Sequence, residues 1–246
     1  MAPTPDAPKV ALVTGSTRGI GAQIAIALTR RGVAVIGHGQ HDVGNAIGAD
    51  FAEPNSPQEL WEEAVARAEE AGVGGIDILV NNAGQYAANP LASSDIAWLD
   101  GWEDTLRVNL TAAAQLSRFA IRDWLADGRG GRIVNIASRA AHRGDSPDHW
   151  HYAASKAGMV ALTKSIARGY AADGVFAFAI CPGFTDSAKA GVYLASRGGP
   201  ALLGDIPLGR VATADEIADI AAFCALDAPE SMTGAVLDAN GASYVR

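Results

Sequence analysis

Short apolar runs recur along the chain, and between them apolar residues return at helical spacing. Lys9-Val-Ala-Leu-Val-Thr14 and Val33-Ala-Val-Ile-Gly37 read as buried strands. Ala22 to Arg31, between them, reads as a helix stopped by Gly32. A third strand is expected near Asn45 to Ala49. The connection to it, His41 to Ala46, is too short for a crossover helix. Ser56 to Ala71 predicts a helix with Ser56 as N-cap, Pro57 at its first position and Gly72 beyond its end. Ile76 to Val80 is a fourth strand, residues 85–101 a polar loop, and Trp102 to Ala126 a long helix. A fifth strand runs from Gly131 to Ala137 and a further helix from Ala153 to Arg168. A sixth strand, Val175 to Cys181, stops at Pro182-Gly183. Thr213 to Leu226 opens with a capping box between Thr213 and Glu216, and Thr233 to Ala239 is a last strand.

Alternating strands and helices imply an α/β fold with a parallel sheet covered on both faces. The expected architecture is a single Rossmann-type doubly wound domain, with a mainly parallel seven-stranded sheet. Residues 1–8 read as a disordered tail. Residues 9–246 read as one dinucleotide-binding and catalytic domain, with a glycine- and proline-bearing lid at about 184–212. In such folds ligands sit at the carboxyl ends of the strands. Thr14, Ser138 and Pro182 mark three of those ends.

Composition narrows the class. The chain has 246 residues, 49% hydrophobic and 19% charged, so it can bury a substantial core. Its net charge of −8 argues against a nucleic-acid surface, and no apolar run is long enough to span a bilayer. The N-terminus lacks the pattern of a signal peptide. Cys181 and Cys224 lie in apolar segments and read as buried thiols of a reducing compartment, so a cytoplasmic location is expected. His142, His149 and His151 lie on one loop without fixed ligand spacing, and no metal is expected.

Two segments carry chemistry. The first is Gly15-Ser-Thr-Arg-Gly19-Ile-Gly21, placed between a strand and a helix. Its glycines permit tight turning, and the helix N-terminus favours a pyrophosphate. The second runs from Ser138 to Lys156. Tyr152 and Lys156 are four apart and share a helix face. A phenol titrates near pH 10, and a neighbouring ammonium favours its ionised form. A serine hydroxyl at the strand end can hold a substrate oxygen while the tyrosine moves its proton. A bare Tyr-x-x-x-Lys is weak evidence, and it gains weight only in this company.

Together these residues resemble the short-chain dehydrogenase/reductase family in its compact single-domain form, over Lys9 to about Val245. The motifs are Thr14-Gly-Ser-Thr-Arg-Gly-Ile-Gly21, Asn81-Asn82-Ala83-Gly84, Asn109, Ser138, Tyr152-x-x-x-Lys156 and Pro182-Gly183. The resemblance implies that Tyr152 is the general acid/base and that Lys156 lowers its pKa and holds the nicotinamide ribose. It implies that Ser138 binds the carbonyl or alcohol oxygen, and that Asn109 interrupts its helix to bind a water leading from Lys156. Asp50 would contact adenine, with Phe51 beside it. The glycine-turn residues Gly15, Thr17, Arg18, Gly19, Ile20 and Gly21 would line the coenzyme, with Asn82, Ala83 and Gly84. Pro182, Gly183, Thr185 and Ser187 would do so at the nicotinamide end, where Ser187 stands in place of the family's usual threonine. The family's Asp-Gly-Gly appears here as Asp238-Ala239-Asn240-Gly241.

The expected reaction is hydride transfer between a nicotinamide coenzyme and a small carbonyl or alcohol substrate. Reduction of 3-oxoacyl-carrier-protein is an alternative, for which Arg129, Arg132 and Arg168 are candidate docking residues. A catalytically silent nucleotide sensor or scaffold is an alternative of another class, disfavoured by the complete Asn109, Ser138, Tyr152 and Lys156 set. NADP(H) is expected over NAD(H). No acid follows the second strand. His38 would attract a 2′-phosphate when protonated, Gly39 leaves room beside it, and Arg18 offers a forked cationic donor. The family pairs the helices around Asn109 and Tyr152 across subunits. Met159, Val160, Leu162 and Ile166 make a wide apolar face, and a homotetramer is expected.

Overall fold

A computed structural model describes residues 8–186 and 203–246. The sheet is parallel throughout and has seven strands: β1 Val10–Val13, β2 Ala34–Gly39, β3 Ile47–Gly48, β4 Ile78–Asn81, β5 Gly131–Ile136, β6 Val175–Pro182 and β9 Val236–Ala239. Their order is β3-β2-β1-β4-β5-β6-β9. Two short strands, β7 Thr185–Asp186 and β8 Ala212–Thr213, pair beside it. The order reverses between β1 and β4, which opens a crevice at the carboxyl edge.

Successive strand residues point to opposite faces, and the cores follow that period. Leu12, Leu79 and Ile133 pack under α2 (Ser56–Glu70), α4 (Ala112–Ala126) and α6 (Trp150–Tyr170). Val13, Val80 and Val134 pack under α1 (Gly19–Arg30) and α7 (Ala214–Leu226) on the other face. The capping box at Thr213 and Glu216 forms as expected.

Some expectations are corrected. β2 runs two residues further than read, because His38 and Gly39 pair with Ile47 and Gly48. The N-cap of α2 is Asn55, without a side-chain cap bond, and Ser56 is already helical. Residues 85–101 are not all loop. A helix, α3 (Asp95–Leu106), starts there with Ser94 as its cap. Its apolar residues Ile96 and Leu99 are 77% and 50% exposed, so no buried stripe marked it in the pattern. Met159, Val160 and Ile166 are buried within this chain's own core and are not a spare face.

A polar chain crosses the interior. Asn81 Nδ2 donates to Ser117 Oγ (3.2 Å) and to Asn135 Oδ1 (2.8 Å), and Asn135 Nδ2 donates to Thr163 Oγ1 (2.8 Å). Buried amides are costly unless bonded, so these contacts hold α4 and α6 in one register on β4 and β5.

Candidate active site

β1 delivers the chain to Thr14 and Gly15 at the carboxyl edge. Gly15 has φ +63°, and a Cβ there would lie 2.9 Å from Ala83 Cα. A Cβ on Gly21 would collide with the Gly15 carbonyl. The turn therefore needs glycine at both ends. Thr14 Oγ1 accepts the N–H groups of Asn82 (2.9 Å) and Ala83 (3.0 Å), and Asn82 Nδ2 donates back to the Thr14 carbonyl (2.9 Å). These bonds lock Asn82-Ala83-Gly84 against the glycine turn. Arg18 is the exposed N-cap of α1 and makes no side-chain cap bond. The first N–H groups of α1 consequently lack an intrahelical acceptor, which suits an anionic pyrophosphate.

His38 is 3% exposed. Gly15 N–H donates to its Nδ1 (3.1 Å), which puts the ring hydrogen on Nε2, bonded to the Ala49 carbonyl at 2.9 Å. The ring stacks on Phe51 at 4.4 Å. Burial lowers its pKa, so the ring stays neutral at pH 7. This corrects the expectation of a protonated His38 attracting a phosphate. His38 is a brace between the glycine turn and the end of β3. The room expected beside it is also taken, since a Cβ on Gly39 would lie 2.7 Å from Thr17 Cγ2. Phe51 is buried under the brace. The Asp50 carboxylate accepts from Gln40 (3.0 Å) and Ala52 N–H (3.0 Å), and the Gln40 bond is the main cause holding its pKa below the usual range.

Ser138, Tyr152 and Lys156 are placed by the end of β5 and by α6, with a short helix, α5 (Ala140–Arg143), between them. Lys156 is 4% exposed, and its Nζ donates to the Ile136 carbonyl at 2.8 Å. Burial pulls its pKa down to about 8. Nζ lies 5.9 Å from the Tyr152 ring centroid, one helical turn away. Ser138 Oγ accepts the Ala140 N–H at 3.1 Å, which leaves its own proton free to donate. Asn109 is fully buried in a π turn, Arg107–Thr111, between α3 and α4. Its Oδ1 accepts Gln85 N–H (2.8 Å), and its Nδ2 donates to the Gln85 carbonyl (3.0 Å) and Ser155 Oγ (3.3 Å). The helix is interrupted at Asn109, and the amide clamps the strand-four loop. A Cβ on Gly84 would lie 3.3 Å from Asn109 Oδ1 and 3.5 Å from Lys156 Nζ. Loop, π turn and lysine thus meet at a glycine.

These parts share one cleft of about 220 Å³. Ile20, Asn82 and Gly84 line one side, and Ser138, Tyr152 and Lys156 the other. Pro182, Gly183 and Thr185 form a rim. Ser187 and most of the expected lid lie outside the described residues. A larger hollow, about 570 Å³, lies between α7, β9 and the C-terminal residues and holds none of the expected site residues.

A family model described as enoyl-(acyl carrier protein) reductase matches residues 15–241. The 3-oxoacyl-[acyl-carrier-protein] reductase FabG of Vibrio cholerae is 38% identical over 96% of this chain and 98% of its own length. The Escherichia coli FabG is 35% identical over the same shares. The chain belongs to the short-chain dehydrogenase/reductase family. Among solved members, one from Agrobacterium tumefaciens, described as a 2-deoxy-d-gluconate 3-dehydrogenase with bound NADP, is 30% identical with a TM-score of 0.84 over all of both chains. Another, from Beutenbergia cavernae, described as an NAD(P) dependent gluconate 5-dehydrogenase with bound NADP, is 33% identical with a TM-score of 0.82 over 96% of each.

This family member carries site residues that pattern reading missed. Tyr86 lines the cleft, packs edge-on to Tyr152 at 4.7 Å and stacks on His149 at 4.0 Å. Its hydroxyl donates to Asp145 Oδ1 at 2.9 Å. Only its place two residues after Gly84 could have signalled it. Gln85 was missed because it lies in the loop after β4 without a motif of its own. His142 Nε2 lies 3.6 Å from Cys181 Sγ, with Asp238 nearby. There Arg246 holds the Asp238 carboxylate (2.8 Å), and burial pushes the Cys181 thiol up to about 11. Arg129 and Arg132 are not a docking patch. Both sit at the amino edge of β5, where Arg129 bonds the Ile76 carbonyl and Arg132 those of Cys224 and Ala228.

Burial of Lys156 has a testable cost. Its pKa, about 8 in the fold against 10.5 ordinarily, penalises the folded state fully below pH 8. The penalty fades as pH rises from 8 to 10.5. Lys156→Met should therefore be more stable than wild type at pH 7, by up to roughly 3 kcal/mol, and lose that advantage toward pH 10.5. Denaturant unfolding across that range measures it; a constant difference between the two proteins would refute the argument.

Proposed function

We propose that this chain is an NADP(H)-dependent oxidoreductase that interconverts a carbonyl and an alcohol. The observation that carries the reading is that Ser138, Tyr152 and Lys156 line the same cleft as Ile20 of the glycine turn. The residues present suit a dinucleotide. A Cβ would fill the cradle at Gly15 and Gly21, and no side chain caps α1. Gly15, Thr17, Arg18, Gly19, Ile20 and Gly21 would hold the phosphates, Asp50 would meet the adenine end, and Asn82, Ala83, Gly84, Pro182, Gly183 and Thr185 would flank the nicotinamide. When bound, the coenzyme supplies or accepts the hydride.

The protein's part is the proton. Ser138 Oγ donates to the carbonyl oxygen and fixes the substrate. The Tyr152 hydroxyl delivers its proton to the same oxygen as charge develops there, and reclaims it in the alcohol direction. Lys156, held by Ile136, keeps a positive charge beside that phenol and stabilises its ionised form. Asn109 positions Gln85 and, through it, the wall that carries Tyr86.

A second reading is reduction of a 3-oxoacyl thioester on a carrier protein, which the names of the FabG relatives favour. It needs a docking surface other than Arg129 and Arg132. A panel of ketones, sugar aldehydes, oxo acids and oxoacyl thioesters with NADPH and NADH separates the two readings.

We further propose a homotetramer in a reducing cytoplasm. Cys181 and Cys224 are buried free thiols. Among the described residues no helix is long and apolar enough to cross a membrane. Ile96, Leu99 and Trp150 leave an apolar surface at the starts of α3 and α6 for a partner subunit to cover. A monomer mass by light scattering at micromolar concentration would oppose that assembly.

Tyr152→Phe should fold and bind NADPH while losing turnover by more than the roughly 10²–10⁴-fold that proton transfer supplies. Near wild-type turnover would remove Tyr152 from its role. With His38 neutral and engaged, Arg18 is left to read a 2′-phosphate. Arg18→Ala should lower the NADPH/NADH ratio of kcat/KM about ten- to hundredfold, as expected for one charge-assisted contact. An unchanged ratio would show that Arg18 does not read the phosphate.

A further inference from the structure

Arg139 follows Ser138 directly and is 9% exposed. Its guanidinium lies over the Phe184 ring at 4.4 Å from the centroid. Phe184 sits between Gly183 and Thr185, and both of these line the catalytic cleft. Tyr86, which also lines the cleft, is within electrostatic range of the same guanidinium. Arg139 thus borders the site just beyond the serine that holds the substrate oxygen.

Among the described residues the guanidinium has no bonded counter-ion. Its Nη1 is sealed from solvent without a hydrogen-bond partner. Asp145 and Asp205 attract it, yet each is engaged elsewhere. Asp145 accepts the Tyr86 hydroxyl (2.9 Å) and Ser146 N–H (2.7 Å), and Asp205 pairs with Arg143 at 3.3 Å. Burial opposes the charged form most, and Arg143 adds like-charge repulsion. A buried cation left in this state is costly unless something pairs with it. Arginine offers a planar fork that matches a carboxylate with two parallel hydrogen bonds.

We propose that Arg139 receives a carboxylate of the substrate, so that the enzyme reduces oxo acids and oxidises hydroxy acids. This rests on the oxidoreductase reading above. The stacked Phe184 holds one face of the guanidinium, and a substrate carboxylate would have to displace the packing that seals Nη1 in order to pair with it. Two nearby carboxylates make the surroundings suit a single negative charge better than a phosphate dianion. In the reductive direction the hydride goes to the carbonyl carbon and Tyr152 gives its proton to the oxygen. NADPH is oxidised, and the carboxylate is unchanged. Arg139 acts on position and specificity alone.

The test uses aliphatic oxo acids of graded length, their methyl esters, and a triose phosphate, with NADPH. Wild type should favour acid over matched ester by about 10- to 100-fold in kcat/KM, and Arg139→Gln should erase that preference while lowering the ester rate far less than the acid rate. Arg139→Lys should retain part of the preference through charge without the fork. Retained ester turnover shows that Arg139→Gln folds. Equal use of acids and esters by wild type, an acid preference that survives Arg139→Gln, or a preference for the triose phosphate would each overturn the assignment. A binding arm separates it from the reaction itself. Calorimetry of the same oxo acids into NADP⁺-loaded Tyr152→Phe, with and without Arg139→Gln, reads the anchor without turnover. Arg139-dependent binding with no turnover in wild type would defeat the oxidoreductase reading and uphold the anchor. Binding that ignores Arg139, or none, would defeat the anchor.

Discussion

The bond from Lys156 Nζ to the Ile136 carbonyl, 2.8 Å long, joins the end of β5 to the first turns of α6. Ser138 comes two residues after that carbonyl and Tyr152 one helical turn before that lysine. A single contact therefore sets how far Ser138 stands from Tyr152. It uses a charged group that burial opposes, with a pKa drawn down to about 8. An apolar residue would fill the same space with less strain on the fold. What the ammonium contributes instead is a positive charge beside a phenol in a place where water cannot screen it.

The rest of the interior keeps that contact in place. The Asn81, Asn135 and Thr163 amides and hydroxyl run from β4 through β5 to α6, perpendicular to the strands. Sliding α6 by one turn would leave Asn135 without its Thr163 partner in a dry core. Apolar packing alone tolerates such slips, because Leu, Ile and Val side chains make non-directional contacts. The directional bonds do not. On the other side of the sheet α1 and α7 pack through small and branched residues, and the polar bonds that fix them lie at their ends, where Arg31 pairs with Asp227 and Arg132 of β5 donates to the Cys224 and Ala228 carbonyls.

The two ends of the cleft are built on different rules. At the coenzyme end the side chains mostly serve the backbone: Thr14, Asn82 and His38 all bond main-chain groups of the turn, leaving the α1 N-terminus open. At the substrate end the side chains serve each other and the ligand. Tyr86, His149, Asp145 and Arg139 come from two separate loops, and their rings and charges meet around Tyr152 and Ser138.

Much of this was legible in the chain. Seven apolar runs and the helical segments between them gave the sheet, because burial on both faces demands continuous apolar strands. Tyr152 and Lys156 were readable as a pair because a helix turns once in four residues. The glycine turn was readable because close backbone approach excludes a Cβ. Tertiary structure decided what depends on a partner remote in sequence. His38 looked like a titrating surface group until the turn and the end of β3 took both of its ring nitrogens. Asn109 was expected to interrupt its helix, and the structure supplies the partners, Gln85 and Ser155, that close on its amide. Met159, Val160 and Ile166 looked like an interface because periodicity shows that a residue is apolar and not which surface covers it. Nothing in the local pattern marks Arg139, and only packing against Phe184 shows a buried cation beside Ser138. Periodicity and glycine spacing are local, so sequence carries them; burial of a charge is a property of everything that folds around it.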